Sequence, residues 1–384
     1  MIYLDHNATT PVHPEVVEAL LPFLTEKFGN PSSIHWAGRA VKGAVEEARE
    51  RVAALVGCEP GEVVFTASGT EADNMAIKGV TAALRGKGNH IIATRAEHPA
   101  VVNPLLYLEQ NGFAVTWLDV DRDGLLDPEQ VARAITDQTI LIAAMAANNE
   151  TGVLFPLREI GEIALRHKVY LHCDAVQAAG KIPLAFREGG ISLLALSGHK
   201  INAPKGVGAL VLRRGVKCHP LVHGGSQERN RRGGTENVAG IVAFGTACEI
   251  ARQTMAPEAE RVRGLRDRLE EGILARIPGS RVNGHRERRL PNTANITIPG
   301  VQADSLIMAL DLEGIAASSG SACSSGTLKL SPVLAAMGIP PEEARGSVRF
   351  SFGRGNTVEE VDRVLAVLPA VVERLQRGTD DSKG

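Results

Sequence analysis

The sequence predicts an α/β protein built on a mainly parallel, seven-stranded sheet, joined to a smaller α+β region. Two observations carry this. Seven short apolar runs alternate with helix-length patterns through residue 212, and such alternation implies a parallel sheet covered on both faces. After a long helical pattern over residues 236–276, strand-like runs at 294–298 and 347–352 follow without it.

The runs are justified in order. Val63-Val64-Phe65-Thr66 reads as a buried strand. Ser68 then offers an N-cap, and the helical pattern continues through Ile77. Residues 90–94 form the second run, followed by a helical stretch over 100–110 that Gly112 stops. The others cover 114–118, 140–145, 169–172, 191–196 and 209–212. In sheets of this class ligands gather beyond the carboxyl ends of the strands. The boundary is set inside the long helix, near residue 250. Residues 14–250 then form a large domain, and residues 1–13 with 251–384 a small one. The polar end, 377–384, is expected to fray.

Composition narrows the function. The 384 residues are 44 % apolar and 22 % charged, enough for a substantial core at an ordinary globular charge density. A net charge of −2 gives no reason to expect nucleic acid or an acidic membrane surface as partner. No run of about 18 apolar residues occurs, and the N-terminus lacks the pattern of a signal peptide. Five scattered cysteines suit free thiols in a reducing cytoplasm better than a disulfide framework.

Five places carry chemistry. Ser68-Gly69-Thr70-Glu71, between a strand and a helix, offers free N–H groups and a positive helix end to a phosphate. An ordinary N-cap uses the same residues. Ser197-Gly198-His199-Lys200 follows a strongly apolar strand, where a desolvated lysine can act as a nucleophile, although a loop lysine is often merely solvated. Asp174 ends another buried run, where its carboxylate needs a cation such as a protonated pyridine nitrogen, or else caps the next helix. Cys323 sits among the small residues of 318–326, where a thiol packs nothing and is free to react. Cys58, Cys173 and Cys248 fit structural roles better. Cys218 lies near His219 and His223 but lacks the further ligands of a metal site, so no metal is expected. Arg349 and Arg354 flank Phe350-Ser351-Phe352-Gly353; either guanidinium suits a carboxylate or a salt bridge.

Together these motifs resemble the cysteine desulfurases of the class V aminotransferase family, in its nitrogen-fixation and housekeeping iron–sulfur branch. Further matching segments are Tyr3 to Pro11, Gly29 to His35, Glu97-His98, Asn148 to Gly152 and Gly233 to Asn237, in family order from residue 3 to beyond 354. The resemblance implies the type I fold of pyridoxal 5'-phosphate enzymes. It implies that Lys200 holds the cofactor covalently, that Asp174 pairs with the ring nitrogen, that Gln177 bonds the ring hydroxyl, and that His98 stacks on the ring and shuttles protons. Asn149 would orient ring and substrate. Gly69, Thr70, Ser197 and His199 would bind the phosphate, with Thr235 arriving from a second subunit of a homodimer. Arg349 would clamp the carboxylate of L-cysteine, with Asn30 nearby, and Cys323 would take the sulfur as a persulfide. The partner so implied is a sulfur-acceptor protein such as an iron–sulfur scaffold.

Two departures stand out. Residues 377–384 do not resemble the C-terminal extension with which housekeeping members dock the scaffold, and Ser324 stands where many relatives have threonine. The competing readings are a selenocysteine lyase, another pyridoxal-phosphate enzyme such as a small-amino-acid aminotransferase, and a non-catalytic sulfur carrier. A thiol on a glycine–serine loop has no use in an aminotransferase. Retention of Lys200, Asp174, His98 and Cys323 together speaks against a carrier.

Overall fold

The structure is a computed structural model that describes residues 1–319 and 330–380, the last three as backbone only. Its main sheet has seven strands: β1 (Val63–Thr66), β2 (His90–Thr94), β3 (Ala114–Leu118), β4 (Thr139–Ala143), β5 (Tyr170–Asp174), β6 (Leu193–Ser197) and β7 (Gly208–Leu212). They lie in the order β1-β7-β6-β5-β4-β2-β3. Only β7 runs against its neighbours. The carboxyl ends of β1, β2, β4, β5 and β6 therefore share one edge of the sheet.

Two-residue periodicity explains why both faces are covered. Val63 and Phe65 of β1 enter one core with Leu171, Cys173, Leu194 and Leu196, whereas Val64 points into the other with Ile91, Leu141, Leu193 and Ala195. Helices Trp36–Val56 and Leu157–His167 cover the first face, and Gly69–Leu84 and Pro99–Glu109 the second.

A further core surrounds a three-stranded antiparallel sheet of Arg281–Val282, Thr293–Thr297 and Ser347–Ser351. Helix Val238–Arg276 serves both parts. Ile241, Phe244 and Cys248 pack into the first core, and Val262, Leu265, Leu269 and Ile273 into the last. The N-terminal segment also spans them. Ile2–Tyr3 pairs in parallel with Ile315–Ala316, Asp5 bridges to Ser351, and the Thr10 N–H reaches the His199 carbonyl at 3.0 Å.

Candidate active site

The shared carboxyl edge opens on a cavity of about 360 Å³, within the range of about 300–1,000 Å³ for small-molecule sites. Each strand end delivers a different group to it. After β1, Ser68 caps helix Gly69–Leu84 by accepting from the Glu71 N–H at 3.1 Å. Gly69 and Thr70, in the first turn, line the cavity where the positive helix end suits an anion. Contact demands glycine at residue 69, because a Cβ there would lie 2.7 Å from Val176 Cγ2 and 3.2 Å from Ser197 Cβ.

Beyond β2, His98 caps helix Pro99–Glu109, its Nδ1 accepting from the Ala100 N–H at 3.1 Å. That bond leaves Nε2 to carry the proton of the neutral ring. Burial lowers the His98 pKa; Asp174 opposes the shift and Lys200 adds to it.

Strand β5 ends on buried Asp174, whose Oδ1 accepts from the Val176 N–H at 2.9 Å. Turns follow Asp174 rather than a helix, so a cap is not its whole purpose. Burial raises the pKa of its carboxyl against the pull of His98, the Val176 bond and Lys200. A carboxylate so placed is stabilised by a nearby cation. Gln177 donates from Nε2 to the Asn7 carbonyl at 2.9 Å and accepts at Oε1 from Lys181 Nζ at 3.0 Å.

Strand β6 ends on Ser197, and the single turn Gly198–Lys200 brings His199 and Lys200 to the same wall. Lys200 Nζ donates to the carbonyls of Asn7 at 2.5 Å and Ala8 at 2.8 Å. Burial, helped by Arg349 and opposed by Asp174 and Asp5, lowers its pKa to about 8. His199 meets Thr9 Oγ1 through Nδ1 at 3.2 Å, and burial with Lys200 and Lys205 brings it down to about 4.

Arg349 crosses from the smaller sheet. It donates from Nη2 to Asp5 Oδ1 at 2.7 Å and from Nη1 to the Asn149 carbonyl at 2.9 Å, while its buried Nε has no partner among the described residues. Asn149 and Ser318 line the cavity beside it.

Two predicted residues lie elsewhere. Asn30 is exposed, its Oδ1 accepting from the Ser32 N–H at 2.9 Å, and it does not line the cavity. Thr235 is exposed and lines a different cavity with Arg232 and Glu236. Cys323 lies outside the described residues. The four described thiols are poor nucleophiles. Burial drives Cys58 and Cys218 up to about 12, and Cys173 and Cys248 well above the ordinary range.

Sequence reasoning missed two contributors. Asn7 is the hub that accepts from Lys200 and Gln177 while its own amide donates to Thr293 Oγ1 at 2.9 Å. Its position inside the Tyr3 to Pro11 motif was the available signal. Asp73 lines the cavity and meets His172 Nε2 at 3.0 Å, with both side chains buried. Burial, with Asp174 and Glu97, raises its pKa well above the carboxylate range. An acid on the buried face of an apolar helix was the signal there.

Pyridoxal phosphate fits this donor set. The open helix end and the Gly69 contact provide for a phosphate, buried Asp174 for a cationic ring nitrogen, and Lys200 for a carbonyl carbon. Among the described residues no cluster of metal ligands occurs.

The chain matches the class V aminotransferase family over residues 2–364. It is 50 % identical to the cysteine desulfurase IscS of Dictyoglomus turgidum, over 98 % of this chain and 95 % of that one. The cysteine desulfurase IscS of Methanosarcina thermophila is likewise 50 % identical, over 98 % and 93 %. Among solved structures, a NifS-like protein superposes with a TM-score of 0.92 at 36 % identity, covering 97 % of this chain and 100 % of that one.

Proposed function

We propose how the residues of this chain, which belongs to the class V aminotransferase family, divide the work of a pyridoxal-phosphate-dependent cysteine desulfurase. The enzyme takes sulfur from L-cysteine, releases L-alanine and passes the sulfur to an acceptor. The observation that carries the residue roles is the convergence of Lys200, Asp174, His98 and Arg349 on one cavity from separate parts of the chain.

Lys200 holds the cofactor, helped by a lowered pKa that makes its amine available near neutral pH. Asp174 keeps the ring nitrogen protonated, and Gly69, Thr70, Ser197 and His199 cradle the phosphate. When bound, pyridoxal phosphate supplies an electron sink for the pair left behind when a substrate proton departs. Lys200, once freed by the substrate, takes that proton on its low-pKa amine, and His98, neutral and protonated on Nε2 with Nδ1 held by the Ala100 N–H, is the proton donor to the product fragment. Arg349 receives the substrate carboxylate, for which its unpartnered Nε is a free donor among the described residues. The Cys323 thiolate then attacks the substrate sulfur. A sulfur–sulfur bond forms, the carbon–sulfur bond breaks, and its electrons stay with the departing alanine fragment, which is protonated.

The described ends of the Cys323 segment support this role. Ser318 lines the cavity and pairs with Arg349, and Ser331 donates to buried Glu150 at 2.5 Å. Cys323 is the fifth residue after Ser318, a reach of at most about 18 Å. The homodimer belongs to the proposal because Thr235 lies off its own chain's cavity, free to serve a second copy. An iron–sulfur scaffold as acceptor, and work in a reducing cytoplasm, suit the free thiols of the chain. Incubation with L-cysteine and a reductant should yield sulfide and alanine in equal amounts. Alanine without sulfide, or neither, overturns the assignment.

A further inference from the structure

Lys181 is the unexplained cation of this site. It leaves the turn after Gly180, whose φ is +72° and whose Cβ would press on Ala251 and Ile201, so the backbone there is tightly defined. Its ammonium lines a small cavity behind Lys200, together with His6, Glu258 and Arg354. Lys200, Arg349 and His6 all act on it or feel its charge. Among the described residues no carboxylate pairs with it, Glu258 being engaged by Arg261 at 3.0 Å. Burial, followed by Lys200 and Arg349, lowers its pKa to about 7. Among the described residues its one side-chain hydrogen bond is to Gln177 Oε1, at 3.0 Å.

That contact has a chemical consequence. The Asn7 carbonyl can only accept, so Nε2 is the end of the Gln177 amide that faces it, and Oε1 is the end that accepts from Lys181 Nζ. The other end is then Nε2, which spends one hydrogen on the Asn7 carbonyl at 2.9 Å and keeps a second for the cavity. We propose that Lys181 is a positioning residue for the cofactor: by fixing the Gln177 amide it obliges this wall to present a donor, selecting the ionised form of the ring hydroxyl. The inference rests on the reading of Gln177 as a cofactor contact. It adds a second contact to that of the Asn7 carbonyl, so that turning the amide oxygen toward the ring oxygen would break both.

The test uses the purified holoenzyme and follows the visible absorption band of the bound cofactor against pH. Lys181→Met should raise the midpoint by about one unit, which is a tenfold change in the ionisation constant, and should weaken cofactor retention by about tenfold. Lys181→Arg, which can still donate to Oε1, should restore the wild-type midpoint. Gln177→Leu should shift the midpoint on its own, and adding Lys181→Met to it should shift it little further. A Lys181→Met enzyme with a lowered melting temperature but an unchanged midpoint overturns the positioning role. If Gln177→Leu also leaves the midpoint unchanged, the assignment of Gln177 to the ring is what fails.

Discussion

Lys200 owes its lowered pKa to where its strand stops: one turn past β6, inside a wall that desolvates it and beside Arg349. Covalent attachment should therefore disappear in Lys200→Ala, and borohydride reduction of the wild type followed by peptide mapping should place the label on Lys200. Label on another lysine would refute the assignment. The rate of cofactor uptake by the apoenzyme should rise with pH up to about 8 and level off above it, since the free amine is the attacking form. A rate that is flat from pH 6 to 9 (about two units below and one above that value) would show that the ammonium is not suppressing attack. The positions of Lys200 and Asp174 were legible in the sequence because each stands at or just past the carboxyl end of a buried strand, where ligands gather in such sheets. Asn7 was marked only by its place in the Tyr3 to Pro11 motif, because its contact with Lys200 spans about 190 residues, and Lys181 was not marked at all, because a lysine four residues from a glutamine in a turn has no distinguishing pattern.

Helix Gly69–Leu84 shows the same logic for an element. Its N-terminus is useful only because the chain after β1 packs tightly enough against Val176 and Ser197 to leave no space for a side chain at residue 69. Gly69→Val should lose about tenfold or more in cofactor affinity, measured by equilibrium titration, since the first turn must shift away from the anion it serves. Retention of wild-type affinity would mean that the phosphate sits elsewhere. The strands themselves were legible. β1, β2 and β3 fall on the expected residues, and the others differ by one to three at their ends, as fraying boundaries do. The reversed direction of β7 was not legible, because an apolar run reads alike in both directions and only its pairing with β1 and β6 reveals it. The turns after Asp174 also differ from a helix, there being no apolar period in Ala175 to Gly180 to sustain one.

At the scale of the whole molecule, the site is a seam. Its lysine and acid come from the large sheet, its guanidinium from the smaller one, and Asn7 from a segment that crosses between them. Thr235, lying off the cavity, leads to the expectation of a homodimer in sedimentation, with Thr235→Ala weakening cofactor retention by several-fold. A fully active, cofactor-saturated monomer would contradict it. Sulfur transfer through Cys323 is read out by mass spectrometry of the enzyme after L-cysteine, with and without Cys323→Ala. The wild-type peptide carrying Cys323 should gain the mass of one sulfur atom, whereas the alanine variant should stay yellow, bind L-cysteine and release no sulfide. Desulfuration by that variant at the wild-type rate, with no sulfur gained on Cys323 in the wild type, would contradict the account.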